Sequence, residues 1–212
     1  MAQTSNKPVF SLSLLALEFK YEYVCPLPPT LGEGSPGITW KADVKCIHDT
    51  AMPLFEQGKE IILIGHSYGG GFSQLILLAA FVVPQRGMDL LEMYRGAWPD
   101  IVQTTKPYTK NQLVIPREEC KDLFYTDVPK GDRDIYYNMM VPSSQDTWET
   151  PFDFVVADVT IPKAYIICTQ DLGMSAKAQE MIVKTPGLHF PVKRMDSGHS
   201  PFLDQPARVV ED

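Results

Sequence analysis

The order of residues predicts an α/β fold: a mostly parallel sheet flanked by helices, with a helical lid inserted and the N-terminal strand region shortened. Three observations carry this expectation. Short, unbroken apolar runs at 61–65 and 164–168 read as strands buried on both faces, the pattern of a parallel sheet. A segment with apolar residues at three- and four-residue intervals precedes the first run, and such alternation of helical and strand periods is that of parallel strands joined by crossovers. The third is the run Ile61-Ile62-Leu63-Ile64, which leads directly into Gly65-His66-Ser67-Tyr68-Gly69, a G-x-S-x-G pentapeptide that marks a sharp turn with a presented serine. At 212 residues and 44% hydrophobic content, the chain fills one core and is short for two full domains.

Taken in order, Leu12, Leu15 and Phe19 share a helical face, and Tyr23-Val24-Cys25 reads as a following strand. Thr39 is the expected N-cap of a helix whose inner face carries Trp40, Val44, Ile47, Ala51, Leu54 and Phe55, with Lys41, Lys45 and Asp49 outward. Pro53 kinks it and Gly58 closes it. After the strand at 61–65, Phe72, Leu75, Ile76 and Ala79 fit a helix running from Tyr68 into Leu78, before a second apolar run at 80–83 ends at Pro84. From 85 to 160 the texture changes: Met93, Tyr94, Trp98, Phe124, Tyr125, Trp148 and others lie among prolines and charges without a sustained period. That segment reads as a lid of short helices over a cleft, with its methionines and aromatics packing mainly on one another. The sheet resumes at 164–168, followed by a helix with Ala176, Met181 and Ile182, a strand at 188–192, and a terminal helix opening near Pro201. The expected division is thus 1–84 and 161–212 as the two parts of the core, with 85–160 inserted.

A serine hydroxyl becomes a useful nucleophile only when a base takes its proton and a third group fixes that base. Ser67, Asp171 and His199 supply nucleophile, acid and base, and each falls just beyond the carboxyl end of a strand, where a parallel sheet gathers its functional groups. Each has a rival. His66 adjoins the serine, but neighbours on a tight turn point apart, so its ring is expected to be buried or to brace a nearby loop. His48 on a helix and His189 in a strand read as structural, and Asp196 is less well aimed at the histidine than Asp171.

Other chemistries fit less well. A net charge of −7 and scattered lysines and arginines argue against nucleic-acid binding. The four histidines show neither H-x-H nor H-E-x-x-H spacing, so neither a metal nor another cofactor is expected. Cys25, Cys46, Cys120 and Cys168 are widely spaced and read as reduced thiols, which with the lack of a signal-like leader or an 18-residue apolar stretch leads to an expectation of a cytoplasmic protein without membrane partners.

The segments GITWKADV (37–44), IGHSYGGG (64–71), YIICTQD (165–171) and SGHSPFLDQP (197–206) resemble the α/β-hydrolase superfamily, in particular its small esterase-like branch with plant methyl esterases and hydroxynitrile lyases. In the expected lid, LFYTDVP (123–129) resembles a recurring segment of that branch. The resemblance implies Ser67 as nucleophile, Asp171 as acid, His199 as base and the Tyr68 N–H as one oxyanion donor. It also implies a second donor from a glycine-containing loop after an early strand, and no glycine precedes Gly32 here. The expected activity is cleavage of a small apolar ester or lactone through an acyl-enzyme. The alternatives are a lyase on the same triad and a binding protein whose missing loop has disabled turnover. Loss of one oxyanion donor costs on the order of 10²- to 10³-fold in rate.

Overall fold

The structure is a computed structural model that describes residues 22–67, 74–104, 112–185, 188–189 and 191–211. Four parallel strands form its centre, β1 (Ile62–His66), β2 (Gln74–Leu78), β6 (Lys163–Cys168) and β7 (Val192–Met195), in the order β1-β2-β6-β7. A second sheet, β3-β4-β5, is antiparallel and joins Val102–Thr104, Leu113–Pro116 and Ser143–Ser144 within the 85–160 segment. The described helices are α1 (Trp40–Glu56), α2 (Leu90–Met93), α3 (Cys120–Phe124), α4 (Arg133–Met139), α5 (Gln145–Glu149), α6 (Ala176–Val183) and α7 (Pro206–Glu211).

Both faces of the inner strands β2 and β6 are covered, and their side-chain alternation shows how, whereas β1, expected to be buried on both faces, leaves Ile62 and Ile64 exposed. Leu75 and Leu77 of β2 join Tyr165 and Ile167 of β6 in one cluster, while Leu78, Ile166 and Cys168 join Met195 and Val209 in another. Such burial on two sides explains why these strands contain no alternating polar residue. A third cluster of Trp40, Leu90 and Phe152, with Tyr94, Trp148 and Phe154 packed on it, fastens the 85–160 segment to α1. Its aromatics do pack on one another: Trp40 lies 5.3 Å from Phe152 and Trp98 lies 5.3 Å from Trp148.

Helix α1 matches its expected span, with Thr39 at the N-cap, Pro53 inside and Gly58 beyond the end in the left-handed region at φ 75°. Its inner face differs in detail. Val44 is exposed, and Asp43 is buried instead, accepting hydrogen bonds from Thr30 N (3.0 Å) and Thr30 Oγ1 (2.6 Å).

Several expectations are corrected. The helix expected to run into Leu78 is not there at its described end, since Gln74–Leu78 is a strand paired in register with β1, Ile64 opposite Ile76 and His66 opposite Leu78. Only the seven residues 67–73 separate β1 from β2, fewer than the dozen or more that a helical crossover takes. Tyr23, Val24 and Cys25 form no strand; they are exposed and run into Pro26, Pro28 and Pro29, which lack the N–H a ladder needs. The last strand is Val192–Met195 rather than 188–192, because Pro191 offers only its carbonyl, which accepts from Tyr165 N at 2.9 Å. The 85–160 segment holds a small antiparallel sheet as well as short helices. The helical face of Leu12, Leu15 and Phe19, the shortened early strand, Tyr68 and Phe72 lie outside the described residues.

Candidate active site

Register pairs His66 with Leu78, Leu78 with Ile166 and Cys168 with Met195, so β6 and β7 run two residues past β1 and β2 and the residues after all four strands lie at one edge of the sheet. Strands lie about 4.8 Å apart, which puts β7 roughly 14 Å from β1 across the edge. The loop after β7 closes that gap by crossing over β6 toward β1. Along the way Thr169 N donates to Met195 O and Gln170 N to Ser197 O, both at 2.9 Å, and at the far end His66 Nε2 donates to His199 O at 2.8 Å.

That crossing sets His199 beside Asp171. His199 Nδ1 donates to Asp171 Oδ2 at 2.8 Å, and both residues are buried. With its proton on Nδ1, the ring presents Nε2 as a lone pair, the form a general base requires. A carboxylate is an acceptor, and here it is met by four donors. Gly173 N and Met174 N reach Oδ1 at 2.8 Å each, while Gln179 Nε2 shares Oδ2 with the histidine at 3.1 Å. Gln179 is itself fully buried, and its amide also binds the end of β6, with Oε1 accepting from Cys168 N (3.0 Å) and Nε2 donating to Cys168 O (3.2 Å), while Nε2 also reaches Met174 O in the following loop (2.6 Å). Near this carboxylate, burial and then the Asp171 charge push the Tyr94 phenol up to about 12, so it stays protonated at neutral pH.

Ser67 follows β1 and has a backbone φ of 55°, a left-handed conformation that a non-glycine residue holds only when its surroundings impose it. Those surroundings are the neighbouring chain: Ser67 N donates to Leu78 O (3.3 Å) and Phe81 N to Ser67 O (2.6 Å). Among the described residues, Ser67 Oγ and His199 Nε2 are not hydrogen-bonded to each other.

His66 braces the histidine loop. Its ring sits 4.8 Å from that of His199 and edge-on to Phe202 at 4.9 Å. Burial, helped by His199, pushes its imidazole down to about 3 against the opposing effect of the bond to His199 O, so the neutral ring carries its proton on Nε2. Asp196 turns the other way, accepting from Gln170 Nε2 (3.0 Å) and Thr169 Oγ1 (3.3 Å). His48 and His189 are exposed, and His189 lies in no strand. All four cysteines are unpaired.

Sequence reasoning missed Gln179, Phe124 and Asp127. Phe124 stacks near His199 with centroids 4.9 Å apart, and Asp127 accepts a hydrogen bond from Gly198 N. Only the motif at 123–129 hinted at the last two. A cavity of about 480 Å³ lies elsewhere, lined by Leu91, Trp98, Asp100, Arg117 and Glu149 among others, all on the 85–160 segment. Among the described residues no group of three His, Cys, Asp or Glu is placed to hold a metal ion, and no helix is long and apolar enough to cross a membrane.

Comparison with known proteins agrees with this architecture. Residues 5–212 match the profile of the alpha/beta hydrolase family. The chain is 26% identical over 213 aligned positions to the alpha/beta hydrolase nvfD of Aspergillus novofumigatus, covering 91% of this chain and 84% of that one. Among solved structures, a variant of polyneuridine aldehyde esterase superposes with a TM-score of 0.72 at 18% identity, covering 95% of this chain and 90% of the other. The pyrethroid hydrolase PytH gives 0.71 at 20% identity, with 94% and 88% covered. The Arabidopsis methylesterase MES16 gives 0.70 at 21% identity, also with 94% and 88% covered.

Proposed function

The chain belongs to the alpha/beta hydrolase family, and on that premise we propose that it is a serine hydrolase of small, largely apolar esters or lactones. The observation that carries this reading is the buried His199–Asp171 hydrogen bond of 2.8 Å, tied through His66 to the strand end where Ser67 sits at φ 55°. In the reaction Ser67 Oγ attacks the carbonyl while His199 Nε2 takes its proton, and Asp171 holds the ring and stabilises the imidazolium. The Tyr68 N–H, next along the chain, stabilises the oxyanion. The proton then passes from His199 to the leaving alkoxide, and water activated at the same nitrogen hydrolyses the acyl-enzyme. The 85–160 segment acts as the lid, and its apolar and aromatic composition favours apolar acyl groups. The names of the structural neighbours, an esterase, a methylesterase and a pyrethroid hydrolase, belong to this reaction class.

A second reading, ligand binding without turnover, draws on the lack of a Ser67 Oγ to His199 Nε2 hydrogen bond among the described residues and on the seven residues, 67–73, that separate β1 from β2. Turnover of p-nitrophenyl acetate and butyrate by the wild-type chain, Ser67→Ala and His199→Ala separates the two. Hydrolysis lost in both variants, with a fluorophosphonate adduct on Ser67, supports the esterase. Equal rates in all three proteins would reject it.

A further inference from the structure

We infer that Asp127, from the loop between α3 and α4, is a positioning residue that sets the backbone carrying His199; the inference rests on the triad reading above. The Asp127 carboxylate accepts the hydrogen bond of Gly198 N, the buried amide immediately before the histidine. On the other side, the His199 carbonyl accepts from His66 Nε2 at 2.8 Å. The backbone at His199 is therefore pinned from both directions, by Asp127 from the 85–160 segment and by His66 from β1, while Asp171 fixes the ring.

Asp127 is itself aimed by its neighbours. The Arg133 guanidinium donates to the carbonyls on either side of it, Thr126 O at 2.8 Å and Val128 O at 3.1 Å, and to Asp122 Oδ1 at 2.8 Å. The guanidinium thus holds the loop by its backbone and leaves the Asp127 carboxylate for Gly198. Gly198 has no room for a side chain, since a Cβ there would run into Thr126 Oγ1 and the Asp127 carboxylate. From the same stretch Phe124 packs 4.9 Å from the His199 ring and against Gly173, where a Cβ would stand 2.6 Å from its ring edge. Residues 124–127 thus dock on both loops of the acid–base pair, and the site is complete only when this segment is seated.

The mechanism predicts a defect in kcat rather than in binding, because a shifted histidine spoils proton transfer without altering the substrate pocket. With p-nitrophenyl butyrate, Asp127→Ala is expected to lower kcat by about 10- to 100-fold with KM within about twofold. Asp127→Asn keeps an acceptor oxygen and is expected to stay within about threefold of wild type. Independently of turnover, the downfield proton resonance of His199 Nδ1–H, assigned by its loss in Asp171→Ala, should broaden or vanish in Asp127→Ala and persist in Asp127→Asn. If Asp127→Ala does not fold, Gly198→Ala disturbs the same pair from the other side and should show the same loss. A kcat within twofold of wild type and an unchanged resonance in the folded variant would overturn the inference, as would Asn behaving like Ala. A wild-type chain with no ester turnover would end the hydrolase reading, while the resonance would still decide this one.

Discussion

Replacing Asp171 by asparagine tests the acid–base pair with almost no change in shape. The carboxylate now receives Gly173 N and Met174 N on one oxygen and Gln179 Nε2 and His199 Nδ1 on the other. An asparagine can satisfy the two backbone donors only with its oxygen on their side, which turns its NH₂ toward Gln179 and His199. Donor then faces donor. His199 relieves the conflict by moving its proton to Nε2 and presenting Nδ1 as acceptor, and that tautomer has no lone pair for Ser67. An equivalent substitution in a serine protease triad lowers kcat by about 10⁴-fold through the same tautomer change, which corresponds to about 5 kcal/mol of barrier. Asp171→Asn should therefore fold, with Gln179 short of one acceptor and a stability loss of about 1–3 kcal/mol. Its kcat for p-nitrophenyl butyrate should fall by at least about 10³-fold. Nitrogen-15 spectra of the histidine ring report the tautomer directly. A variant that keeps a tenth or more of the wild-type kcat, or whose His199 still carries its proton on Nδ1, would refute this reasoning.

Gln179→Leu removes the partner of Cys168 N and of Met174 O in a fully buried place, and at about 1–3 kcal/mol per orphaned group it should cost about 3 kcal/mol or more. Urea denaturation reads this as a lower midpoint at unchanged slope, and a shift worth less than about 1 kcal/mol would contradict it. Tyr165→Phe loses the 2.8 Å bond from the buried phenol to Ala80 O and should cost about 1–2 kcal/mol with turnover unchanged, measured in the same way. The His66 imidazole titrates at about 3 in the fold, below its unfolded value of about 6.5, so unfolding takes up a proton between those pH values. Its contribution to stability is complete above about pH 6.5 and is lost progressively as pH falls toward 3, and stability should therefore depend less steeply on pH over this window in His66→Gln.

The parts of the molecule that were legible in the sequence are those whose signal is local. The α1 helix carries its N-cap, its period and its closing glycine within twenty residues, and the strand ending in Cys168 is an unbroken apolar run bounded by turn residues. His66 as a brace followed from turn geometry alone. The failures come from signals that local pattern cannot resolve. In the run Leu75-Ile76-Leu77-Leu78-Ala79-Ala80 every position is apolar, so helical and strand periods fit equally well, and only the two-sided burial in the sheet decides for a strand. Strand β7 was displaced for the opposite reason: it lies at the sheet edge, and its exposed Lys193 and Arg194 hide the period. The contact between Asp127 and Gly198 spans 71 residues and leaves no periodic trace.

Because the histidine is carried on a loop that crosses the sheet edge, the geometry of the pair depends on strand register more than on any one side chain. Asp171 hangs from β6 and His199 from β7, and those strands pair Cys168 with Met195. A slip of one residue would move the start of the histidine loop by about 3.3 Å, several times the roughly 0.5 Å within which a catalytic arrangement is productive. It would also send Met195, which is fully buried, to the opposite face and bring Arg194 toward the core. The fit of one methionine into the core under Val209 and Phe202 thus holds the register that brings an imidazole and a carboxylate to 2.8 Å. The bonds Thr169 N to Met195 O and Gln170 N to Ser197 O then carry that register past the end of the strands and into the loop.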